Sequence, residues 1–212
     1  MTDGAGAGAE SGDDDDEHAE RFETCSDEFT LSWQVQDSGW IEISEVLKSD
    51  DRAAGARQRV TDVLSDIFRA AEIGRTVEAT IVFADDALVR DLNTSFRGKS
   101  TATNVLSFPA PADALNPDAA GISQPRYAGD VIIARQTVVA EAGDLGIPVD
   151  QHLTHLVVHG ALHLAGYDHD DPAQAEIMED TERKLLSELG FPDPYERAKH
   201  LADRAISGSE VQ

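Results

Sequence analysis

The sequence predicts one α+β domain in which helices pack on a mixed β-sheet. Segments with the two-residue alternation of strands are interspersed, over about 160 residues, with segments that have the spacing of amphipathic helices. The chain has 212 residues, of which 41% are hydrophobic and 27% are charged, and this composition is typical of a globular domain with one core. Internal repeats are absent from the sequence, so we expect a single folded unit.

Four segments are predicted to be strands. Residues 31–36 alternate apolar and polar side chains, and residues 77–83 add the β-branched residues that strands favour. Shorter apolar segments at 104–108 and 130–134 complete the set. The segment between them, 109–128, holds four prolines and is predicted to be a loop within the domain, because strands that must pair lie on both sides of it.

Five segments are predicted to be helices. Apolar residues recur at helical spacing over 60–71, and Gly74 is expected to end that helix. A second apolar stripe, over 88–96, follows two aspartates at 85–86 that are suitable caps. The three remaining helices are predicted over residues 137–142, 150–165 and 172–189.

The two ends of the chain differ from the middle in composition. Residues 1–28 carry eleven acidic residues and one basic residue, and they contain little apolar surface. Such a segment cannot offset its chain entropy by burial, so we predict that it is disordered. Residues 197–212 are predicted to be a polar tail, which leaves residues 29–196 as the folded domain.

Charge and hydropathy restrict the functional classes. The formal net charge of −24 argues against a general nucleic-acid coat protein, so contact with a polyanion would need a local basic cluster or a metal ion. An 18-residue apolar run and an apolar leader are both absent from the sequence. Together with the single cysteine, Cys25, this predicts a cytoplasmic protein without membrane contact. The oligomeric state is left open.

Four of the seven histidines lie within residues 155–169, and three of them have the spacing of metal ligands. His159 and His163 are one helical turn apart, so their imidazoles leave the same face of the predicted helix. Gly166 can end that helix in a left-handed conformation and return the chain, which brings His169 to the same place. Three protein ligands with an open fourth position are typical of catalytic zinc, and we predict one Zn²⁺ per chain.

Neighbouring residues are given other roles. His152 and His155 are not counted as ligands. Asp168, which directly precedes the third ligand, is predicted to orient an imidazole, although it could instead bond the backbone of its own turn. Gly160 is expected to allow another element to approach the helix closely, because glycine is otherwise costly there.

The histidine spacing also matches that of metzincin proteases, H-E-x-x-H-x-x-G-x-x-H. In this chain, however, Gly160 occupies the position of the glutamate that acts as general base in those enzymes. A zinc peptidase is therefore kept as an alternative hypothesis only.

Several motifs resemble those of one known family. The sequence HGALHLAGYDH at 159–169 resembles the YbeY signature H-G-x-L-H-L-x-G-Y-D-H. LNTSFRGK at 92–99, TNVLSFP at 103–109 and GDVIIA at 129–134 resemble three further segments of that family. The resemblance covers about residues 31–196 and leaves the acidic head and the polar tail outside.

The resemblance implies a metal-dependent, single-strand-specific endoribonuclease that acts in rRNA maturation, at the 3′ end of 16S rRNA, and in ribosome quality control. It further implies precursor rRNA as substrate, and ribosomal proteins or ribosome-associated GTPases as partners. A non-catalytic ribosome assembly factor with a structural metal is the second alternative.

The resemblance favours a role for Arg97, which would otherwise be read as a solvated surface residue at a helix end. Arg97 is predicted to stabilise charge on the phosphorus, because its planar guanidinium fits a phosphate. From residue type alone, Lys99 and Arg126 are weaker candidates for phosphate contacts, and Tyr167 is a candidate for stacking on an unpaired base. The family usually continues D-K-P-T after the Gly-Lys pair, whereas residues 100–103 are Ser-Thr-Ala-Thr, which removes one positive charge near the expected phosphate path.

Overall fold

The computed structural model describes residues 20–26, 28–70, 76–111 and 125–196. Within these ranges the strands are β1 (Glu20–Ser26), β2 (Phe29–Val35), β3 (Val77–Ala84), β4 (Val105–Pro109) and β5 (Arg126–Ala134). The helices are α1 (Gly39–Ile43), α2 (Asp51–Ala70), α3 (Asp86–Arg97), α4 (Arg135–Leu145), α5 (Val149–Leu164) and α6 (Pro172–Glu188). None of these helices combines the length and the hydropathy needed to cross a bilayer.

The five strands form one sheet in the order β1-β2-β3-β5-β4. β2, β3 and β5 run parallel, whereas β1 pairs antiparallel with β2 and β4 pairs antiparallel with β5. The predicted α+β domain with a mixed sheet is therefore confirmed. The two edge strands are therefore β1 and β4. α5 packs near the β4 edge, where it contacts β4 and β5.

The core lies between one face of the sheet and helices α2, α5 and α6. β2 shows the period-two pattern clearly, because Phe29, Leu31, Trp33 and Val35 all point into this core and are at most 1% exposed. The opposite face is covered in part by α3, whose Val89 packs with apolar residues of β3, β4 and β5. α5 is buried along most of its length, and apolar residues make up most of its second half, 156–164, apart from two histidines and a glycine.

The prediction that residues 1–28 are disordered is wrong for β1. Acidic composition hid a strand that needs few apolar residues, because it sits at the sheet edge and its backbone pairs with β2. Phe22 packs against the core, and the Arg57 guanidinium lies 3.9 Å from the centre of its ring. Thr24 accepts a 3.0 Å hydrogen bond from the Trp33 indole. Residues 1–19 and the predicted tail 197–212 lie outside the described residues.

Several element boundaries also differ from the predictions. α2 begins at Asp51 and not at residue 60, since its first turns lack the large apolar residues on which the prediction relied. The short helix α1 was not predicted. β5 begins at Arg126, inside the predicted loop, and a bulge between Tyr127 and Gly129 interrupts the alternation that would have indicated a strand there. Residues 71–75, with the predicted helix end at Gly74, and residues 112–124 of the loop lie outside the described residues.

Gly160 sits where α5 presses on the sheet. A Cβ atom at this position would lie 2.4 Å from Cγ1 of Val131 and 3.2 Å from Oγ of Ser107. Val131 is fully buried on β5 and Ser107 is on β4, so the missing side chain lets the helix pack directly on these two strands. The predicted close approach is confirmed, and it places the neighbouring His159 beside the outer edge of the sheet.

This contact makes Gly160→Ala a destabilising change. Helix propensity favours alanine by about 1 kcal/mol, but the overpacking against a stiff β-branched side chain costs roughly 1–3 kcal/mol, so a net loss is expected. The matched control is Gly55→Ala in α2, where an added Cβ meets nothing within 4 Å and the free energy of unfolding should rise by about 0.5–1 kcal/mol. Urea denaturation measures both, and equal gains in the two variants would contradict the close approach.

Candidate metal centre

α5 places two histidines side by side on the surface that faces the outer edge of the sheet. The Nε2 atoms of His159 and His163 are 3.2 Å apart. Tetrahedral zinc with Zn–N bonds of about 2.0–2.1 Å requires ligand nitrogens about 3.3 Å apart, so this pair already has the required separation. Both rings are partly buried.

The chain turns back after α5 and brings the third histidine to the other two. Gly166 has φ of 93°, and hydrogen bonds from the Gly166 N–H to the His163 carbonyl and from the Tyr167 N–H to the Leu162 carbonyl close the turn. The ligating atoms of all three histidines, including the exposed His169, lie within 4.8 Å of one another. The structure therefore brings the predicted ligand set together.

Contacts behind the two helix histidines fix their ring orientation. The Nδ1–H of His159 donates to Oε1 of Glu182 at 2.8 Å, and the Nδ1–H of His163 donates to the Tyr167 carbonyl at 3.0 Å. With both protons on Nδ1, two Nε2 lone pairs face each other at 3.2 Å, an arrangement that a cation between them would stabilise. Burial, and then the charges of His159 and His169, lower the pKa of His163, which favours the neutral form that binds metals.

Glu182 is a residue of the site that the sequence analysis missed. It lies on α6, is 1% exposed, and accepts hydrogen bonds from His155 at 2.9 Å, from His159 and from the Tyr195 hydroxyl. Burial alone would raise its pKa, but these hydrogen bonds outweigh burial and hold the pKa at about 2. A carboxylate inside an otherwise apolar helix stripe was the available sequence signal.

The histidines that were not counted as ligands have other partners. His155 binds Glu182, as above, and Nε2 of His152 lies 2.7 Å from the Glu141 carboxylate. That carboxylate also accepts a 3.0 Å hydrogen bond from the Asn104 amide. These contacts account for both histidines without a metal.

A cavity of about 820 Å³ opens in front of the three histidines. Its wall also includes Arg97, the last residue of α3, which is followed by Gly98 in a left-handed conformation. The rest of the wall includes residues of β4 and of the segment before it: Thr103, Asn104, Val105, Ser107 and Pro109. The three histidines and one guanidinium therefore border the same space.

The other candidate residues are placed differently. Within the described residues, the cavity wall does not include Lys99, which is exposed just beyond the end of α3, or Arg126, which begins β5. Asp168 does line the cavity, but its carboxylate accepts backbone N–H groups of its own turn, from His169 at 2.7 Å and Asp170 at 3.3 Å. The orienting role predicted for Asp168 is thus filled, for the two helix histidines, by Glu182 and the Tyr167 carbonyl.

Comparisons with known proteins agree with these motifs. The family model described as Endoribonuclease YbeY matches residues 44–190. A protein named Endoribonuclease YbeY from Rhizobium johnstonii is 43% identical over 169 residues, which cover 80% of this chain and 94% of the relative. One of the same name from Rhodopseudomonas palustris is 55% identical over 118 residues, which cover 56% of this chain and 60% of that relative. The match thus spans less than two thirds of the second relative's length.

A solution structure of a protein from Thermotoga maritima is also similar to this chain. It is 22% identical, with a TM-score of 0.45, and the match covers 66% of this chain and 85% of the other.

Proposed function

The chain belongs to the YbeY endoribonuclease family, and on this premise we propose that it is a zinc-dependent, single-strand-specific endoribonuclease. We propose further that it acts in rRNA maturation, at the 3′ end of 16S rRNA, and in ribosome quality control. The observation that carries the proposal is the convergence of His159, His163 and His169 in a cavity that Arg97 also lines. A cation site and a guanidinium in one cavity suit a phosphodiester, which is anionic and gains charge as it is cleaved.

The donor set fits one zinc ion. Three neutral imidazoles suit Zn²⁺, and three protein ligands would leave one position of a tetrahedral ion open to the cavity that they line. Zinc bound there would lower the pKa of a water molecule or act as a Lewis acid on a phosphoryl oxygen. The histidines would hold the ion, while Arg97, which lines the same cavity, would bind and orient the phosphate.

The electrostatics of the chain favour a local attraction for RNA. Because the whole protein carries −24, a long-range basic surface is not available to gather a polyanion. Attraction must come from the bound ion and from Arg97 within the cavity, which limits contact to a short stretch of backbone. A single strand can bend into such a cavity, whereas a stiff duplex presents its phosphates only along its outer surface.

Aromatic side chains at or near the cavity support an unpaired substrate. The partly buried Tyr167 lines the cavity, and Phe96, which precedes the cavity residue Arg97, is 68% exposed while its ring packs edge-on against Phe108 at 5.2 Å between centroids. The accessible parts of these two rings offer stacking surface to unpaired bases, which is worth roughly 1–3 kcal/mol per base. Unstacked bases are available in single strands and not in duplexes.

The proposal includes the partners and location of such an enzyme. The substrate is precursor rRNA, the protein partners are ribosomal proteins or ribosome-associated GTPases, and the site of action is the cytoplasm, where ribosomes are assembled. A membrane has no part in this activity.

The peptidase alternative lacks its general base. The position after His159 is filled by Gly160, which is packed against Val131 and leaves no room for a carboxylate side chain. The alternative of a non-catalytic assembly factor shares the same ligands, so it must be separated by an assay.

We expect the zinc-loaded full-length chain to cleave a labelled single-stranded RNA and to leave the same strand intact within a perfect duplex. Chelation of zinc should abolish the cleavage, and added Zn²⁺ should restore it, because the ion is held by three protein ligands and exchanges. Gel analysis of the cleavage products measures both effects. Zinc-loaded protein that binds RNA without cleaving it would support an assembly factor, and zinc-dependent cleavage of an unfolded protein substrate would support a peptidase.

A further inference from the structure

Glu182 occupies a position where the helix pattern calls for an apolar side chain. On α6 it shares one face with Met178, Leu185 and Leu186, which are all buried at the contact with α5. Glu182 is itself only 1% exposed. A carboxylate taken out of water at such a place is strongly unfavourable unless several donors satisfy it, so its presence needs a specific reason.

The donors that satisfy Glu182 connect it to the metal centre. Oε1 accepts the Nδ1–H of His159 at 2.8 Å, while Oε2 accepts Nε2–H of His155 at 2.9 Å and the Tyr195 hydroxyl. His155 lies one helical turn before His159 on α5, and Tyr195 follows the end of α6. Two donors on α5 and one donor after α6 thus hold the Glu182 carboxylate behind His159.

This arrangement determines which nitrogen of His159 is free. A proton on Nδ1 is held by the carboxylate, so the Nε2 lone pair faces Nε2 of His163 and the position of the ion. The negative charge behind the ring also makes the imidazole a stronger donor to a cation. Hydrogen bonds from His155 and Tyr195 stop the carboxylate from turning away when the site is empty.

We propose that Glu182 is a positioning residue of the metal centre, which fixes His159 for metal binding and is itself held in place by His155 and Tyr195. The proposal rests on the zinc-binding part of the proposed function, and it does not depend on which substrate is cleaved. It predicts that a residue that touches no metal raises the metal affinity roughly 10- to 100-fold.

The test compares three variants of the full-length chain by zinc affinity, measured in competition with a chromophoric chelator. Glu182→Gln keeps the shape but removes the charge, and its affinity should fall roughly 10-fold; Glu182→Leu removes both acceptors, and the fall should approach 100-fold. Glu176→Gln, at an exposed position on the same helix, changes the net charge equally and should bind zinc as the wild type does.

A second measurement separates positioning from stability. In the metal-free wild type, long-range ¹H–¹⁵N spectra should show His159 with its proton on Nδ1, whereas Glu182→Leu should show a mixture of tautomers. A buried leucine fits the apolar stripe of α6. If the carboxylate had no part in metal binding, Glu182→Leu should therefore stay folded and keep the zinc affinity of the wild type. If Glu182→Leu fails to fold, the zinc affinity of Glu182→Gln tests the proposal instead.

Two results would overturn the proposal. One is zinc affinity of Glu182→Gln within two-fold of the wild type. The other is a folded Glu182→Leu variant whose His159 proton stays on Nδ1. Failure of the wild type to cleave RNA would end the proposed enzymatic function but would leave both of these measurements intact.

Discussion

His163→Ala is expected to leave the purified protein with little of the roughly one zinc ion per chain that we expect in the wild type. His163 is partly buried, its Nε2 lies 3.2 Å from Nε2 of His159, and the lowered pKa of its ring favours the neutral form that binds metals. Structural zinc sites, which have four ligands, have apparent binding free energies of about 10–16 kcal/mol. An equal share for each ligand is about 3 kcal/mol, so the loss of one ligand should lower the zinc affinity more than 100-fold. RNA cleavage should fall with the zinc content.

Elemental analysis of the purified variants measures this loss, with His152→Gln as the matched control. His152 lies on the same helix but contacts Glu141 instead of the metal centre, so the control should keep its zinc. His159→Ala and His169→Ala should behave as His163→Ala does, since each leaves two protein ligands. Full zinc content in any two of the three alanine variants would show that the ligand assignment is wrong.

The parts of the site that lie close together in sequence could be predicted. His159, His163, Gly166 and His169 fall within eleven consecutive residues, so helix periodicity and one helix-ending glycine determine how they meet. Gly160 was predictable for the same reason, because a glycine inside a helix is costly unless another element needs the space.

The parts that depend on distant contacts were missed. Glu182 meets His159 across 23 residues, through the packing of α6 on α5. The interruption of an apolar stripe marks Glu182 as unusual, but it does not indicate which residue the carboxylate contacts. Asp168 was chosen as the orienting residue because it is adjacent to His169 in sequence, yet its geometry favours the backbone of its own turn. β1 was missed because its partner strand, and not its own composition, stabilises it.

Arg97→Ala tests whether charge stabilisation at the cavity can be separated from metal binding. Arg97 ends α3, is exposed and is not among the three histidines whose ligating atoms meet, so its removal should change neither the fold nor the zinc content. If the guanidinium stabilises the charge that develops on the phosphate, cleavage should fall roughly 10²- to 10³-fold, as is typical when one preorganised donor to an oxyanion is lost. Single-turnover cleavage of a labelled single-stranded RNA measures the loss on preparations of known zinc content.

Arg97→Lys distinguishes the shape of the guanidinium from its charge. Lysine keeps the positive charge but lacks the planar pair of donors, so this variant should remain well below the wild type if Arg97 holds two phosphate oxygens together. Recovery to nearly the wild-type rate would mean that charge alone suffices. Lys99→Ala serves as the control, because Lys99 is exposed, lies two residues after Arg97 and does not line the cavity. This substitution removes the same charge from outside the cavity, so cleavage should stay near the wild-type rate. Wild-type cleavage by Arg97→Ala at full zinc occupancy would remove the arginine from the mechanism, and the chemistry would then rest on the three histidines and the ion they hold.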